Sequence, residues 1–218
     1  MTSSETLKQV CDFGIVPIIR ASDEKKIAVA AEALVKADLG VLEISLSVPK
    51  GLKILESLAD RFGDTLLLGA GTVLDAGTAR AAVSAGARFI VSPSTDASVI
   101  DTCKSLSVAV FPGALTPAEI VGAWKSGADA IKVFPVSAVG GPPYIRAVRA
   151  PLPDIVLFPC GGVNTVNAAE YFDAGAAALL IGSSLINMAA PDRDLSDSVV
   201  KNVSLFLNIV QRARASRS

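Results

Sequence analysis

The sequence predicts a single (β/α)8 barrel, and three observations carry that reading. The chain has 218 residues and is 51% hydrophobic. That is enough for one sizeable core, and α/β barrels of roughly 200–250 residues run as one domain. Eight short apolar runs recur, with starts 20 to 27 residues apart. Helix-like segments fill the gaps between them, without a linker or a compositional break.

The runs are "GIVPIIR" (14–20), "VLEISL" (41–46), "TLLLGA" (65–70), "RFIVSP" (88–93), "VAVFPG" (108–113), "AIKVFP" (130–135), "IVLFPC" (155–160) and "AALLIG" (177–182). They are nearly continuous in apolar residues, as parallel strands covered by helices on one side and by each other on the other should be. Between the first two runs, Ile27, Ala30, Ala31 and Leu34 form a helical stripe; Leu52, Leu55, Leu58, Ala59 and Phe62 form the next. "TPAE" at Thr116–Glu119 is a helix start, with a Thr cap, Pro at the first helical position and Glu placed for a capping box. A long terminal helix carries Val199, Val203, Phe206, Leu207 and Val210 on one face. The expected domain is 1–218, with a short polar N-terminal lead and a C-terminal helix. An open doubly wound sheet is the structural alternative. The first strand–helix junction lacks the glycine fingerprint that such a sheet uses for dinucleotides.

Composition excludes whole classes of chemistry. There is no histidine, so Ser-His and Cys-His nucleophiles, His bases and His-ligated metals are out. No metal and no cofactor is expected. Net charge is −1 and the pI about 5.5, which argues for neither a nucleic-acid nor a membrane partner. The start "MTSSETLKQV" has neither a basic region nor an apolar core, and no apolar run reaches the roughly 18 residues of a membrane span. Cys11, Cys103 and Cys160 are odd in number and show no CxxC spacing. Free thiols in a reducing cytoplasm are the expectation.

In a barrel, chemistry gathers at the C-terminal strand ends, and the polar exceptions fall there. They are Arg20, Glu43, Ser45, Ser47, Thr72, Ser92-Pro93, Lys132, Gly161-Gly162 and Gly182-Ser183-Ser184. Side chains alternate along a strand. Leu42, Ile44 and Leu46 therefore share one face, and Glu43, Ser45 and Ser47 the other; Lys132 and Phe134 oppose Ile131 and Val133. Glu43 and Lys132 should both point inward.

Two readings of Lys132 stand together. It is a structural ion pair with Glu43 or a lysine reaching for the barrel mouth; or it is a catalytic amine. Burial favours the neutral amine, which attacks a ketone to form a Schiff base. Glu43 is either the counter-ion or a shielded carboxyl with a raised pKa that moves protons. "PCGGVNT" and "IGSSL" follow strands seven and eight, where barrels commonly hold phosphate through backbone N–H groups. Cys160 lies at a strand end beside this site and lacks a base that would make it a nucleophile. Trp124 is expected to pack on a helix face and Tyr144 to anchor a loop or short helix.

In order along the chain, "LEISL", "GAGTVL", "VSPS", "PGALTPAEI", "IKVFP", "PCGGV" and "IGSSL" resemble the 2-keto-3-deoxy-6-phosphogluconate (KDPG) and 2-keto-3-deoxy-6-phosphogalactonate (KDPGal) aldolases, with 4-hydroxy-2-oxoglutarate aldolase. The likeness runs from about residue 14 to residue 186. The resemblance implies a class I aldolase on a (β/α)8 barrel, a homotrimer. It would cleave a phosphosugar keto acid to pyruvate and glyceraldehyde 3-phosphate. It matches Lys132 to the Schiff-base lysine and Glu43 to the acid/base glutamate. Thr72 matches the threonine on the pyruvate carboxylate, with Pro93 and Phe134 lining the pocket. Gly161, Gly162, Gly182, Ser183 and Ser184 match the phosphate loops. One departure stands out. Many members carry "LEVTLRT", whose arginine binds the carboxylate, and Ser47 occupies that position here. Arg20 is the expected replacement, since a planar guanidinium suits a carboxylate. The rival readings are a sugar-phosphate isomerase or epimerase with Glu43 as base, and a non-catalytic phosphosugar binder.

Overall fold

The computed structural model describes residues 1–215, apart from the side chain of Asp64. Residues 216–218 of the expected domain lie outside the described residues.

The apolar runs form parallel strands at the expected places: β1 (Ile15–Ile19), β2 (Val41–Ser45), β3 (Leu67–Gly71), β4 (Phe89–Val91), β5 (Ala109–Phe111), β6 (Gly113–Ala114), β7 (Ile131–Val133), β8 (Leu157–Pro159) and β9 (Leu179–Ile181). The fifth run differs from expectation. Pro112 has no N–H to give a ladder, and the run is split there into β5 and β6. Two curled sheets result, ordered β5-β4-β3-β2-β1-β9 and β6-β7-β8. Backbone bonds cross both seams. Asp129 N–H donates to Val110 O at 3.1 Å, Lys132 N–H to Pro112 O at 2.9 Å and Ala177 N–H to Leu157 O at 3.1 Å. A parallel bridge pairs Cys160 with Leu180.

The helices are α1 (Ser3–Phe13), α2 (Glu24–Lys36), α3 (Gly51–Phe62), α4 (Ala76–Ser84), α5 (Ala97–Ser105), α6 (Pro117–Lys125), α7 (Pro142–Arg149), α8 (Ala168–Asp173) and α9 (Asp192–Ala215). The segment read as a polar lead is helix α1. Thr2 and Glu5 close a capping box on it, and Gly14 ends it in a left-handed conformation. Thr6 and Val10 are its buried face, so the few apolar residues suffice. Thr116 and Glu119 form the expected box on α6. Asp23, Asp75 and Asp96 cap α2, α4 and α5. Trp124 departs from expectation, being 37% exposed on α6. Tyr144 anchors α7 by donating its hydroxyl proton to the Leu115 carbonyl.

Both faces of the strands are buried. The expected aliphatic face, Leu42, Ile44, Ile131 and Val133, is fully covered. Inside, Phe89, Phe111 and Phe158 stack with ring centroids 5.5 and 5.1 Å apart. These rings form an apolar layer, and Phe158 is the strand partner of Lys132.

Candidate active site

Strand alternation sends Glu43 and Lys132 inward, where they are only 1% and 5% exposed. Lys132 lies on β7 between Gly113 of β6 and Phe158 of β8. Its Nζ sits 5.3 Å from the centre of the Phe134 ring. Glu43 lies on β2, opposite Ile18 on one side and Gly69 on the other.

The structural ion-pair reading does not fit this geometry. A buried pair is stable only when its remaining lone pairs are satisfied. Here Glu43 Oε2 is buried without a hydrogen-bond partner. No ion pair joins Glu43 to Lys132 among the described residues; the pairs present lie at the surface, such as the exposed Lys8–Asp12 and the half-buried Lys26 with exposed Asp192. Burial pushes the Glu43 carboxyl above its usual range, and the charges of Lys132 and then Arg20 pull it partly back.

A cavity of about 470 Å³, within the usual size range of small-ligand sites, is lined by neither Glu43 nor Lys132; their neighbours Ile18 and Phe134 form part of its wall. Arg20, Phe134, Cys160, Gly161, Gly162, Gly182, Ser183 and Ser184 all line it. Thus eight of the residues singled out in the sequence converge on one space. Gly161 and Gly162 have φ of 95° and 77°, a region open to glycine. The Asn167 side chain stiffens the loop behind them: its Oδ1 accepts from Asn164 N–H at 2.9 Å, and its Nδ2 donates to Gly162 O at 2.9 Å. In the turn after β9, the Gly182 carbonyl accepts from Leu185 and Ile186 N–H at 3.0 and 3.2 Å. The Ser183 and Ser184 side chains stand exposed at the head of that turn.

Cys160 is buried at the end of β8. Its thiol is pushed up to about 11, by burial first, with the Lys132 charge opposing and Glu43 reinforcing. A thiol so placed is protonated near neutrality and is no nucleophile.

The remaining residues do not enter the large cavity. Pro93 lines a smaller hollow of about 220 Å³ on the other side of the shared Phe134 ring, with Thr95, Leu115 and Glu119. Thr72 and Ser47 are joined through Ser45, whose Oγ lies 2.9 Å from Thr72 Oγ1 and 2.8 Å from Ser47 Oγ. Thr72 follows Gly71, and Gly71 abuts the Glu43 carboxyl. The hydroxyl row therefore begins at the rim beside Glu43.

Sequence reasoning missed two groups. Gly69 and Gly71 pair with Glu43 and Ser45 across β2 and β3. Their parity was readable once those strands were assumed to be neighbours. The cavity's outer wall, Ile186, Asn187, Met188 and Ala189, carried no readable signal. It is a loop held from outside, by Lys26 Nζ on the Ala190 carbonyl at 3.1 Å and Asn202 Nδ2 on the Leu185 carbonyl at 3.0 Å.

Comparison with known proteins agrees with this geometry. The family model "Aldolase: KDPG and KHG aldolase" matches residues 7–201. The 2-dehydro-3-deoxy-6-phosphogalactonate aldolase of Escherichia coli K12 is 36% identical over 172 residues, 78% of this chain and 83% of the relative. The 2-dehydro-3-deoxy-phosphogluconate aldolase of Pseudomonas aeruginosa is 35% identical over 179 residues, covering 82% and 81%. A native KDPGal structure superposes with a TM-score of 0.85 at 31% identity, over 92% of this chain and 96% of that one. The KDPG aldolase of Legionella pneumophila, solved with pyruvate captured as a covalent carbinolamine, superposes with a TM-score of 0.79 at 27% identity, over 98% of each chain. The chain belongs to the KDPG and KHG aldolase family and is a lyase of that family.

Proposed function

We propose that the chain is a class I aldolase that cleaves a 2-keto-3-deoxy-6-phosphosugar acid to pyruvate and glyceraldehyde 3-phosphate through a Schiff base on Lys132. The observation that carries the reading is a buried lysine and a buried glutamate facing one interior, with the neighbours of each, Phe134 and Ile18, in the wall of a cavity lined by two glycine-bearing loops. The relatives' names and the captured carbinolamine in the Legionella enzyme support the same chemistry.

The steps follow from the groups present. The Lys132 amine attacks C2 of the keto acid to give a carbinolamine. Glu43 protonates its hydroxyl, water leaves and an iminium forms. Glu43, now a carboxylate, takes the proton of the C4 hydroxyl. The C3–C4 bond breaks, its electrons flow into the iminium, and the aldehyde departs. The enamine is protonated at C3, and water hydrolyses the resulting imine to pyruvate and free Lys132. A raised carboxyl pKa suits a group that must give and take a proton in one cycle.

Thr72 and Arg20 hold the carboxylate end, with Ser47 nearby. Phe134 and Pro93 form apolar walls and Cys160 a neutral one. Gly161, Gly162, Gly182, Ser183 and Ser184 bind the phosphate through backbone N–H and hydroxyl donors. The phosphate loops favour a phosphorylated substrate over 4-hydroxy-2-oxoglutarate. No cofactor enters the cycle. The two curled sheets are best read as one closed (β/α)8 barrel in a single domain, supported by the backbone bonds across both seams. The chain is placed in the cytoplasm as a homotrimer. Its three free cysteines support the first, and exposed Leu74 and Trp124, at 57% and 37%, offer apolar surface for the second. No helix among the described residues is long and apolar enough to cross a membrane.

The test is to incubate the protein with pyruvate and borohydride, weigh it intact and map the adduct. A reduced pyruvate on Lys132, with turnover abolished in Lys132→Arg, is expected. No adduct beside a labelled control aldolase, or retained turnover in Lys132→Arg, would move the reading to non-covalent sugar-phosphate chemistry or simple binding.

A further inference from the structure

Behind the exposed Ser47 hydroxyl the structure places two more in a row, those of Ser45 and Thr72. We propose that Ser47, Ser45 and Thr72 act as one polarised hydrogen-bond row that recognises the substrate's carboxylate, with Ser45 as the positioning residue at its centre. The inference rests on the aldolase reading and names the element that reads the keto acid's charge.

Geometry sets the row. Ser45 is fully buried on β2, and its hydroxyl lies within hydrogen-bond distance of both neighbours, 2.8 Å from Ser47 Oγ and 2.9 Å from Thr72 Oγ1. Ser47 is exposed and Thr72 half-buried. The row therefore runs from solvent, through a buried centre, to the rim beside Glu43.

Proton counting sets its direction. Each hydroxyl has one proton to donate and can accept as well. An anion on Thr72 needs the Thr72 proton. Thr72 must then accept from Ser45, and Ser45 must accept from Ser47. The order Ser47→Ser45→Thr72→anion leaves no donor wasted. Bonds aligned in this way strengthen one another, more so away from water.

Backbone strain gives an independent reason to assign a role. Thr72 has φ of 60°, where a β-branched residue is a strained outlier. Among the described residues, the other non-glycine residues with positive φ are Asp38, Lys50 and Ser107, none β-branched. The strained conformation places the Thr72 hydroxyl on Ser45.

Pyruvate trapping on Lys132 tests the row without the phosphate end. In Ser45→Ala, the pyruvate concentration for half-maximal trapping should rise by about threefold to tenfold, the weight of one hydrogen bond between neutral groups. The maximal extent of trapping should be unchanged. Ser45→Thr, which keeps the hydroxyl, should restore affinity, and exposed Ser47→Ala should shift it in the same direction by less. Hydroxyacetone, a ketone without a carboxylate, should trap equally well on wild type and Ser45→Ala. An equal loss for pyruvate and hydroxyacetone would overturn the proposal, since Ser45 would then serve the shape of the site. So would no loss for pyruvate. Failure of wild type to form any adduct would instead sink the aldolase reading, and calorimetric pyruvate titration of the same variants would then decide the row.

Discussion

Gly71 leaves empty the space that the Glu43 carboxyl fills: a Cβ on residue 71 would lie 1.9 Å from Glu43 Oε1. Gly71 does not use the left-handed backbone that only glycine favours, so alanine fits its chain conformation. The collision falls on the carboxyl. Gly71→Ala should therefore fold and still lose proton transfer. General acid–base catalysis contributes about 10²–10⁴-fold, and kcat should fall by at least about a hundredfold, with an unchanged circular dichroism spectrum. A kcat within tenfold of wild type would show that Glu43 has slack to move.

Glu43 should also reduce stability at neutral pH. Its carboxyl is raised above 4.5 by burial, with Lys132 and Arg20 opposing. Between 4.5 and the raised value, the folded chain holds a proton that the unfolded chain has released. Stability contributed by this group is present below the ordinary value and is lost as pH rises through the folded one. Glu43→Gln carries no such charge. Its thermal midpoint should match wild type near about pH 4 and exceed it by a few degrees near about pH 8. Thermal scans at the two values check this, and a variant less stable than wild type at the higher pH would contradict it.

Cys160 should behave as a wall. Its thiol is pushed up to about 11 and those of Cys11 and Cys103 to about 11 and about 12, burial being the largest cause each time. Iodoacetamide at about pH 7.5 should leave all three unmodified over a period in which free cysteine, with an ordinary pKa near 8.5, reacts fully. Cys160→Ala should keep kcat within about tenfold, a small change beside the loss from a true nucleophile. Rapid labelling of Cys160 with loss of turnover would contradict its assignment as an inert wall.

Strand alternation made much of this site legible. Eight apolar runs and the in-phase polar residues Glu43, Ser45 and Lys132 followed from a period of two, and the loops after the last two runs were marked by their glycines. Three features were hidden. Helix α1 escaped because its buried face is small and its capping residues also suit a polar tail. The break at Pro112 escaped because an apolar run hides which N–H the ladder needs. The role of Gly71 needed the pairing of Ser45 with Gly71, a long-range fact that neither strand encodes alone. Arg20 is an intermediate case. Its place at a strand end was readable, while the company it keeps was not: it was expected at the carboxylate and it lines the same cavity as the two glycine-bearing loops.

That shared position gives Arg20 two separable effects. Its charge lowers the Glu43 carboxyl, after that of Lys132. Removing it must raise the carboxyl further. The alkaline limb of kcat/KM, above which free Glu43 has lost the proton that the carbinolamine hydroxyl needs, should then move to higher pH in Arg20→Ala. Arg20→Lys keeps the charge and should keep the limb near its wild-type place. Affinity should respond differently. A guanidinium binds an oxyanion through two parallel bonds that lysine cannot copy. Both variants should raise KM for the phosphorylated keto acid, on the order of tenfold or more. Pyruvate trapping then tells which end Arg20 serves. A matching rise in the pyruvate half-saturation places it on the carboxylate. An unchanged pyruvate value with a raised KM for the phosphorylated substrate places it on the phosphate, and leaves the carboxylate to Thr72 and the hydroxyls behind it.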